Sequence, residues 1–335
     1  MLPPWLQVTA DGLFCPPAGV HIDPRRPVAR AVVSHAHADH ARPGCGGYLA
    51  TPETARLLRL RLGQAVSVQE LSWGEPLVLG GVRLSFHPSG HIRGAAQVRL
   101  ERAGEVWVVT GDVKTAPDPT CLPYEPVRGH GLVLESTFAL PVFRWPDPAT
   151  VIADLLAWWR DNAEQGRPSL LFAYALGKSQ RILASLPPDA GPVLLHGALE
   201  APTAAYREGG VRLRPARRLA AAGAGEDLRG ALVLAPPSAA GTPWMRRFAG
   251  AGRAFASGWM QIRGLRRRRA LEAGFVLSDH ADWPGLFEVI RQSGAPRVLL
   301  VHGFAAELAR ALREAGLAAE ASPADPPREE DEAPP

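Results

Sequence analysis

The chain has 335 residues, of which 46% are hydrophobic and 21% charged, and its formal net charge is +4. This composition indicates a globular protein with a sizeable core and excludes a disordered chain. There is no apolar run of the roughly 18 residues that a membrane span needs, and the start lacks a secretory signal, so we expect a cytoplasmic protein. The three cysteines show no C-x-x-C spacing, which excludes a disulfide scaffold and a thiolate zinc site.

The first 135 residues are predicted to form short strands with some helices between them. Asp11-Gly12 suits a type I′ turn and predicts a hairpin. Thr51 can cap a helix over 51–61, with Pro52 in its first turn. Further strands are predicted at 28–34, 82–87, 97–101, 106–110 and 131–135. This order favours a layered α/β sandwich.

From Pro148 onward, strands and helices alternate, which is typical of a small parallel sheet. Helices are predicted at 149–162 and 178–186, with strands at 169–175, 193–196, 232–235 and 254–256. After residue 271 we expect strands at 274–278 and 297–301 and helices at 283–292 and 305–314. The proline-rich, acidic segment 320–335 is predicted to be disordered.

Charge is distributed unevenly along the chain. Residues 151–270 hold 18 Lys and Arg against 8 Asp and Glu, a balance of +10. Such asymmetry indicates a polyanionic partner, with nucleic acid as the leading candidate. An ordinary solvated surface in an arginine-rich protein explains the same count.

The most informative segment follows the apolar strand at 28–34. It contains His35, His37, Asp39 and His40 in an H-x-H-x-D-H arrangement. Imidazole and carboxylate ligands together suit zinc or a manganese-type divalent ion. Single histidines are usually surface or core residues, but four candidate ligands in this spacing are hard to obtain by chance.

This motif resembles that of the metallo-β-lactamase fold, in which downstream ligands complete a two-metal site. The resemblance implies a further histidine after several strands, and Ser89-Gly90-His91 supplies it. It also implies an aspartate at the end of a strand, which is Asp112 in Thr110-Gly111-Asp112.

Three later segments are similar to the β-CASP branch of that fold, which comprises nucleic-acid-processing nucleases such as ribonuclease J. They are Glu135-Ser136-Thr137-Phe138, Ser278-Asp279-His280 and Val301-His302-Gly303. Members carry an inserted domain between the motifs that Glu135 and His280 match here, and the basic block lies in that interval. The expected fold class is therefore α/β, a metallo-β-lactamase αββα sandwich with an inserted small α/β (β-CASP) domain. The expected domains are the two parts of the sandwich at 1–147 and 271–319, the basic cap at 148–270 and the tail at 320–335.

A narrower resemblance covers residues 1–318. The segments Gly111-Asp112-Val113-Lys114, Tyr124-Glu125-Pro126-Val127 and Thr137-Phe138-Ala139-Leu140-Pro141 resemble the bacterial ligase-associated DNA exonuclease family. This resemblance implies a role in DNA repair and DNA as the substrate, with an ATP-dependent DNA ligase and a helicase as partners. Asp279 departs from the pattern, because many β-CASP nucleases have a small residue there.

The resemblance also implies roles for individual residues toward two divalent ions, zinc or alternatively manganese. His35, His37 and His91 would hold one ion, Asp39, His40 and His302 the other, and Asp112 would bridge them. The residues expected to act in catalysis are Asp39, His280 and Glu135. His280 would stabilise the transition state or protonate the leaving oxygen, and Glu135 would orient it. Asp23 is expected to support a ligand histidine.

Candidate contacts to nucleic acid lie in the basic block. Lys178 opens a predicted helix and could hold a phosphate there, although a solvated lysine explains the position equally well. The other candidates are the consecutive residues Arg266, Arg267, Arg268 and Arg269, of which we expect about half to contact phosphate, since a helix cannot turn all four to one groove.

Four functions are compatible with these patterns to different degrees. We expect a metal-dependent DNA nuclease, with an exonuclease on single-stranded or frayed DNA as the specific form. The alternative is an RNA-processing β-CASP ribonuclease with the same metals. A small-molecule hydrolase is disfavoured by the basic insertion. A non-catalytic nucleic-acid-binding homologue is disfavoured because all seven ligand positions are filled.

Overall fold

Three β-sheets organise the chain. The computed structural model describes residues 2–219, 227–264 and 271–322, and these form a mixed α/β protein. By their internal contacts the described residues divide into a first unit, residues 2–144 and 280–322, and a second unit, residues 145–279. Among the described helices, none is both long enough and apolar enough to cross a membrane.

The described strands are, in chain order, β1 (Gln7–Thr9), β2 (Gly12–Cys15), β3 (Val20–Ile22), β4 (Ala31–Val32), β5 (Tyr48–Ala50), β6 (Val68–Glu70), β7 (Leu77–Leu79), β8 (Val82–Pro88), β9 (Ala96–Arg102), β10 (Glu105–Val109), β11 (Gly131–Glu135), β12 (Ser169–Phe172), β13 (Val193–Leu195), β14 (Arg217–Arg218), β15 (Leu232–Ala235), β16 (Gly252–Ala256), β17 (Ala273–Phe275), β18 (Arg297–Val301) and β19 (Ala318–Ala321). The described α-helices are α1 (Pro52–Leu62), α2 (Pro148–Glu164), α3 (Lys178–Ser185), α4 (Gly197–Glu208), α5 (Trp283–Ser293) and α6 (Ala305–Glu314).

The first unit contains two sheets. One has the strand order β1-β2-β3-β4-β5-β6, and the other has the order β19-β18-β11-β10-β9-β8-β7. The hairpin expected around Asp11-Gly12 is present, with Thr9 paired to Gly12. Helix α1 begins as predicted, because the Thr51 side chain accepts a hydrogen bond from the Thr54 amide.

The seven-stranded sheet is apolar on both faces, and alternation along each strand decides which core a side chain joins. Trp107 and Val109 of β10 pack in a core shared with β4, β5, β8 and β9. Val106 and Val108 of the same strand pack against α5 and α6. Since successive side chains of a strand point to opposite faces, β10 is buried on both sides.

The second unit contains the third sheet, in the order β14-β13-β15-β12-β16-β17, with every neighbouring pair parallel. Leu171 of β12 faces a core with α2 and α3, whereas Leu170 and Phe172 face a second core on the other side. Helices on a parallel sheet are what the strand–helix alternation in this part of the chain predicted.

Several boundaries differ from the sequence-based expectation. The strand β17 pairs with β16, so residues 271–279 belong to the second unit and not to the last part of the first. A three-residue strand carries no sequence signal that selects its sheet. Helix α4, which contains Pro202, was not among the predicted helices. Glu320 and Ala321 belong to β19 and not to a disordered tail, and residues 323–335 lie outside the described part of the chain.

The start of β11 offers a test of packing in the first unit. A Cβ at Gly131 would overlap the indole ring of the buried Trp107. We therefore expect Gly131→Ala to lower the free energy of unfolding by about 1–3 kcal/mol, the usual effect of overpacking. Gly47→Ala is the control, because a Cβ there meets nothing within 4 Å. Thermal melts in the presence of a chelator should show a lower Tm for Gly131→Ala alone, and equal melting of the two variants would contradict this packing.

Candidate metal centre

The histidine-rich loop is fixed at its first residue. Ser34 donates its amide to Asp23 Oδ1 (2.7 Å) and its hydroxyl to Asp23 Oδ2 (2.6 Å). The Ser34 carbonyl accepts the Ala96 amide of β9 at 2.9 Å. Asp23 itself has a left-handed backbone, with φ of 44°, where it follows β3. Three strands therefore meet at the residue that precedes the motif.

Four side chains converge in the first ligand cluster, which consists of His35, His37, His91 and Asp112. His37 Nδ1 lies 3.1 Å from both His35 Nε2 and His91 Nε2. Asp112 Oδ2 lies 3.3 Å from His35 Nε2 and 3.4 Å from His91 Nε2. The spacing matches a tetrahedral zinc ion, whose ligands at 2.0–2.1 Å from the metal stand about 3.3 Å apart.

The donor chemistry of this cluster also fits a metal. One nitrogen of His37 cannot satisfy two imidazole neighbours at once with a single proton or lone pair. A cation shared by all the donors resolves the conflict. His35, His91 and Asp112 are almost fully buried, whereas His37 is partly exposed.

A second ligand cluster comprises His35, Asp39 and His40, and it meets the Asp112 carboxylate through His40. His40 Nε2 is 3.3 Å from Asp39 Oδ2 and 3.2 Å from Asp112 Oδ1. The ring of His302 is 5.6 Å from the His40 ring, and His302 has a φ of 61° just after β18. Asp39, His40 and His302 line one cavity. The two oxygens of Asp112 thus face two different sets of donors, as a bridging carboxylate would.

The protonation of the first ligand cluster suits cation binding, whereas His40 must lose a proton to bind, because, against the opposing effect of burial, Asp112 holds the pKa of His40 well above the usual value. Burial lowers the pKa of His35 to about 4 and holds the pKa of His91 well below its usual value. Burial opposes ionisation of Asp112, but the neighbouring histidines, His40 foremost, hold its pKa well below the usual range. His35 and His91 are therefore neutral at pH 7 and Asp112 is charged, the forms that bind divalent ions.

His280 pairs with Glu135 beside these clusters. His280 Nδ1 is 2.8 Å from Glu135 Oε1, and His280 Nε2 is 3.9 Å from Asp112 Oδ2. Glu135 also accepts the amides of Val113 (3.1 Å) and Thr137 (3.2 Å). The imidazole is therefore held by a carboxylate that is itself fixed by two backbone bonds.

Asp23 contacts one of the candidate ligands directly. Its Oδ2 lies 2.8 Å from His40 Nδ1. A carboxylate on the second nitrogen of a ligand histidine fixes the ring and its tautomer. Ser34 also contacts a candidate ligand, with its hydroxyl 3.0 Å from His35 Nδ1, but a serine before such a motif carries no distinctive sequence signal.

The candidate nucleic-acid contacts are placed differently from the metal candidates. Lys178 is buried, with Nζ 3.4 Å from Asp279 Oδ2, so it is not a solvated lysine. Its predicted phosphate contact stays a prediction, but the ammonium is already engaged by Asp279. Arg266, Arg267, Arg268 and Arg269 lie outside the described residues.

Fold and site together define a mixed α/β protein with clustered histidine and aspartate side chains that could hold divalent metal ions. Over 319 residues, 94% of its length, the chain is 34% identical to a protein of Opitutus terrae named "Probable DNA ligase". It covers 31% of that protein, so it spans about a third of the length of this relative.

Two further similarities are more distant. The chain is 26% identical over 183 residues to an "RNase J-like protein" of Methanocaldococcus jannaschii, which is 47% of this chain and 42% of that protein. A solved structure of a protein of unknown function from Enterococcus faecalis V583 matches 81% of this chain and 74% of its own, with a TM-score of 0.55 and 15% identity. At this identity the likeness concerns the fold alone. No protein-family model matches the chain.

Metal content tests the two ligand clusters. After reconstitution with zinc, we expect two ions per wild-type chain, one or none for His37→Ala and none for Asp112→Ala, measured by elemental analysis. The control is His196→Asn, which removes a histidine of the second unit but keeps a side chain able to cap α4. Two ions in Asp112→Ala would refute the bridging role.

Asp23 allows a subtler test, since it contacts the candidate ligand His40 without belonging to either ligand cluster. Asn tolerates the left-handed backbone at this position. We expect Asp23→Asn to weaken metal binding by about 10–100-fold, the usual effect of losing a carboxylate behind a ligand histidine. Competition with a chromophoric chelator measures the affinity, and an unchanged affinity would show that Asp23 does not support His40.

Proposed function

We propose that the protein is a metal-dependent nuclease that hydrolyses phosphodiester bonds of DNA, as an exonuclease on single-stranded or frayed ends. The observation that carries the proposal is the combination of two adjoining ligand clusters, both in contact with Asp112, with the separately held His280. Its fold, in this proposal, is the metallo-β-lactamase sandwich with the second unit as an inserted β-CASP domain. The likeness to an RNase J-like protein supports a nuclease of that kind.

The proposed metal ligands are those expected from the sequence, with Asp112 between the two sites. Two bound divalent ions, zinc or manganese, supply a water that ionises near neutral pH and positive charge that neutralises a phosphodiester. The chain itself orients those ions. Asp23 fixes the His40 ring, and Ser34 contacts the other nitrogen of His35.

His280 handles the proton in this proposal. Its Nδ1–H donates to Glu135, which leaves Nε2 facing Asp112. A protonated His280 can donate from Nε2 to the leaving oxygen, and the carboxylate of Glu135 stabilises the positive ring. Because Glu135 is held by two amides, the ring keeps one orientation throughout the reaction.

Two features favour DNA as the polymer. The similarity to a protein named as a DNA ligase covers nearly the whole chain, although the ligase activity belongs to that relative. The +10 balance of residues 151–270 suits a polyanion. We accordingly propose an ATP-dependent DNA ligase and a helicase as partners in repair. The RNase J-like relative favours RNA as the second candidate substrate.

The function is tested with end-labelled DNA and RNA oligonucleotides, each incubated with zinc, manganese or magnesium. We expect shortening of single-stranded DNA by the metal-reconstituted protein and none by Asp112→Ala. Cleavage of RNA alone would favour the second candidate. Cleavage of neither polymer by protein that carries two metals would refute the nuclease proposal.

The role of His280 can be separated from that of a ligand. We expect His280→Gln to keep its metals and its KM while losing about 10²–10⁴ in kcat, the usual contribution of a general acid. A nitrophenyl phosphodiester needs less protonation of its leaving group and should recover part of the loss. His302→Gln is the comparison, and we expect it to lose metal and to show no such recovery. Equal recovery in both variants would contradict this division of roles.

A further inference from the structure

Three charged side chains are buried together in the second unit. Lys178, Arg181 and Asp279 are 1%, 5% and 3% exposed. Asp279 Oδ2 is 3.4 Å from Lys178 Nζ, and Asp279 Oδ1 is 3.4 Å from Arg181. Arg181 also donates to the carbonyl of Ser278 at 2.5 Å. We call these three residues the ion cluster.

Stability alone is a weak reason for such a cluster. Removing charges from water costs several kcal/mol per ion, and apolar residues of similar volume often serve a fold equally well. What a buried ion pair provides is a defined geometry. Here the side chains of Lys178 and Arg181 contact the Asp279 carboxylate, and Arg181 also contacts the backbone carbonyl of Ser278.

The first turn of α3, which carries Lys178 and Arg181, is itself held by hydrogen bonds. Gln180 accepts the amide of Gly177 at 2.8 Å and donates to the carbonyl of Ala175 at 3.0 Å. The ammonium of Lys178 lies 4.7 Å from the centre of the Tyr174 ring. The first turn of α3 therefore presents Lys178 and Arg181 to Asp279 in one arrangement.

Asp279 is joined by a single peptide bond to His280, the first residue of the first unit after the chain leaves the second. On the far side of His280, the Ala281 amide donates to the carbonyl of Val113 at 2.6 Å. The backbone of His280 is thus held on both sides, upstream by the ion cluster and downstream by Val113.

We propose that Lys178 and Arg181 are positioning residues for His280, acting through Asp279. By fixing the backbone that enters His280, they set the direction of its ring and preserve the bond from Nδ1 to Glu135. The consequence for catalysis rests on the proposed function, whereas the consequence for the ring does not. The side chains of Lys178 and Arg181 act on His280 through their contacts with Asp279. Lys178 does not touch the substrate.

The ring of His280 gives a readout that does not depend on activity. In zinc-reconstituted protein labelled with ¹⁵N-histidine, the His280 signal is identified by its loss in His280→Gln. We expect Lys178→Met to speed solvent exchange of the His280 Nδ1 proton at least about tenfold, and Lys178→Arg to restore slow exchange. Arg167→Met is the control, because Arg167 forms an exposed pair with Glu272 in the same unit. Wild-type exchange in Lys178→Met would overturn the proposal.

Kinetics tests the same coupling in the working enzyme. We expect Lys178→Met to lose about 10–100-fold in kcat, the scale of a slightly misplaced catalytic group, with KM and metal content unchanged. A rise in KM with a smaller salt dependence would instead show that Lys178 contacts phosphate, and that result would overturn the proposal. If wild-type protein cleaves nothing while exchange responds as expected, the nuclease function fails and the positioning role stands.

One further variant separates positioning from folding. Combining Lys178→Met, Arg181→Met and Asp279→Leu removes all three charges and leaves no buried ion unpaired. We expect this protein to melt within a few degrees of wild type and still to show fast exchange and low kcat. Wild-type exchange and kcat in a folded triple variant would show that the ion cluster serves the second unit alone.

Discussion

The site depends on one constraint, which is that the buried carboxylate of Asp112 is surrounded by imidazole nitrogens on both of its oxygens. Oδ2 faces His35 and His91, and Oδ1 faces His40. Several groups with lone pairs lie within 3.1–3.4 Å of one another. Such crowding does not stabilise a fold, so the surrounding backbone must enforce it. The bonds from Asp23 and Ala96 to Ser34 do so for the loop.

Sheet topology explains why these residues meet. In the seven-stranded sheet, β18, β11 and β10 are parallel neighbours, and β10 and β8 each pair antiparallel to β9. The carboxyl ends of all four strands therefore lie at one edge. His91 follows β8, Asp112 follows β10, Glu135 ends β11 and His302 follows β18. One edge of one sheet thus supplies four of the site's side chains, and the loop after β4 supplies His35, His37, Asp39 and His40.

The sequence predicted this arrangement well where the signal was local. Apolar strands that end in histidine or aspartate are visible without a structure, and the capping at Thr51 is equally local. Lys178 shows the opposite case, because its partner Asp279 is about a hundred residues away and a helix-opening lysine looks the same whether solvated or buried. The partner sheet of β17 was missed for the same reason, since pairing is decided by the strands that surround it. The sequence alone does not show which distant residue a side chain contacts or which strand another strand pairs with.

A histidine that binds a metal and one that transfers a proton can have the same surroundings at one ring nitrogen. Here the contacts of Nδ1 do not distinguish the two roles. His40 and His280 both have Nδ1 against a carboxylate, at 2.8 Å in each case. The difference lies at Nε2. His40 Nε2 is 3.2 Å from Asp112, near the separation of two ligands on one zinc ion, whereas His280 Nε2 is 3.9 Å from it. Glu135 accepts hydrogen bonds from two amides and from His280, whereas the Asp112 carboxylate faces the imidazoles of both ligand clusters. This difference in distance supports the proposed division of roles, in which His280 faces the substrate and Asp112 contacts the ions.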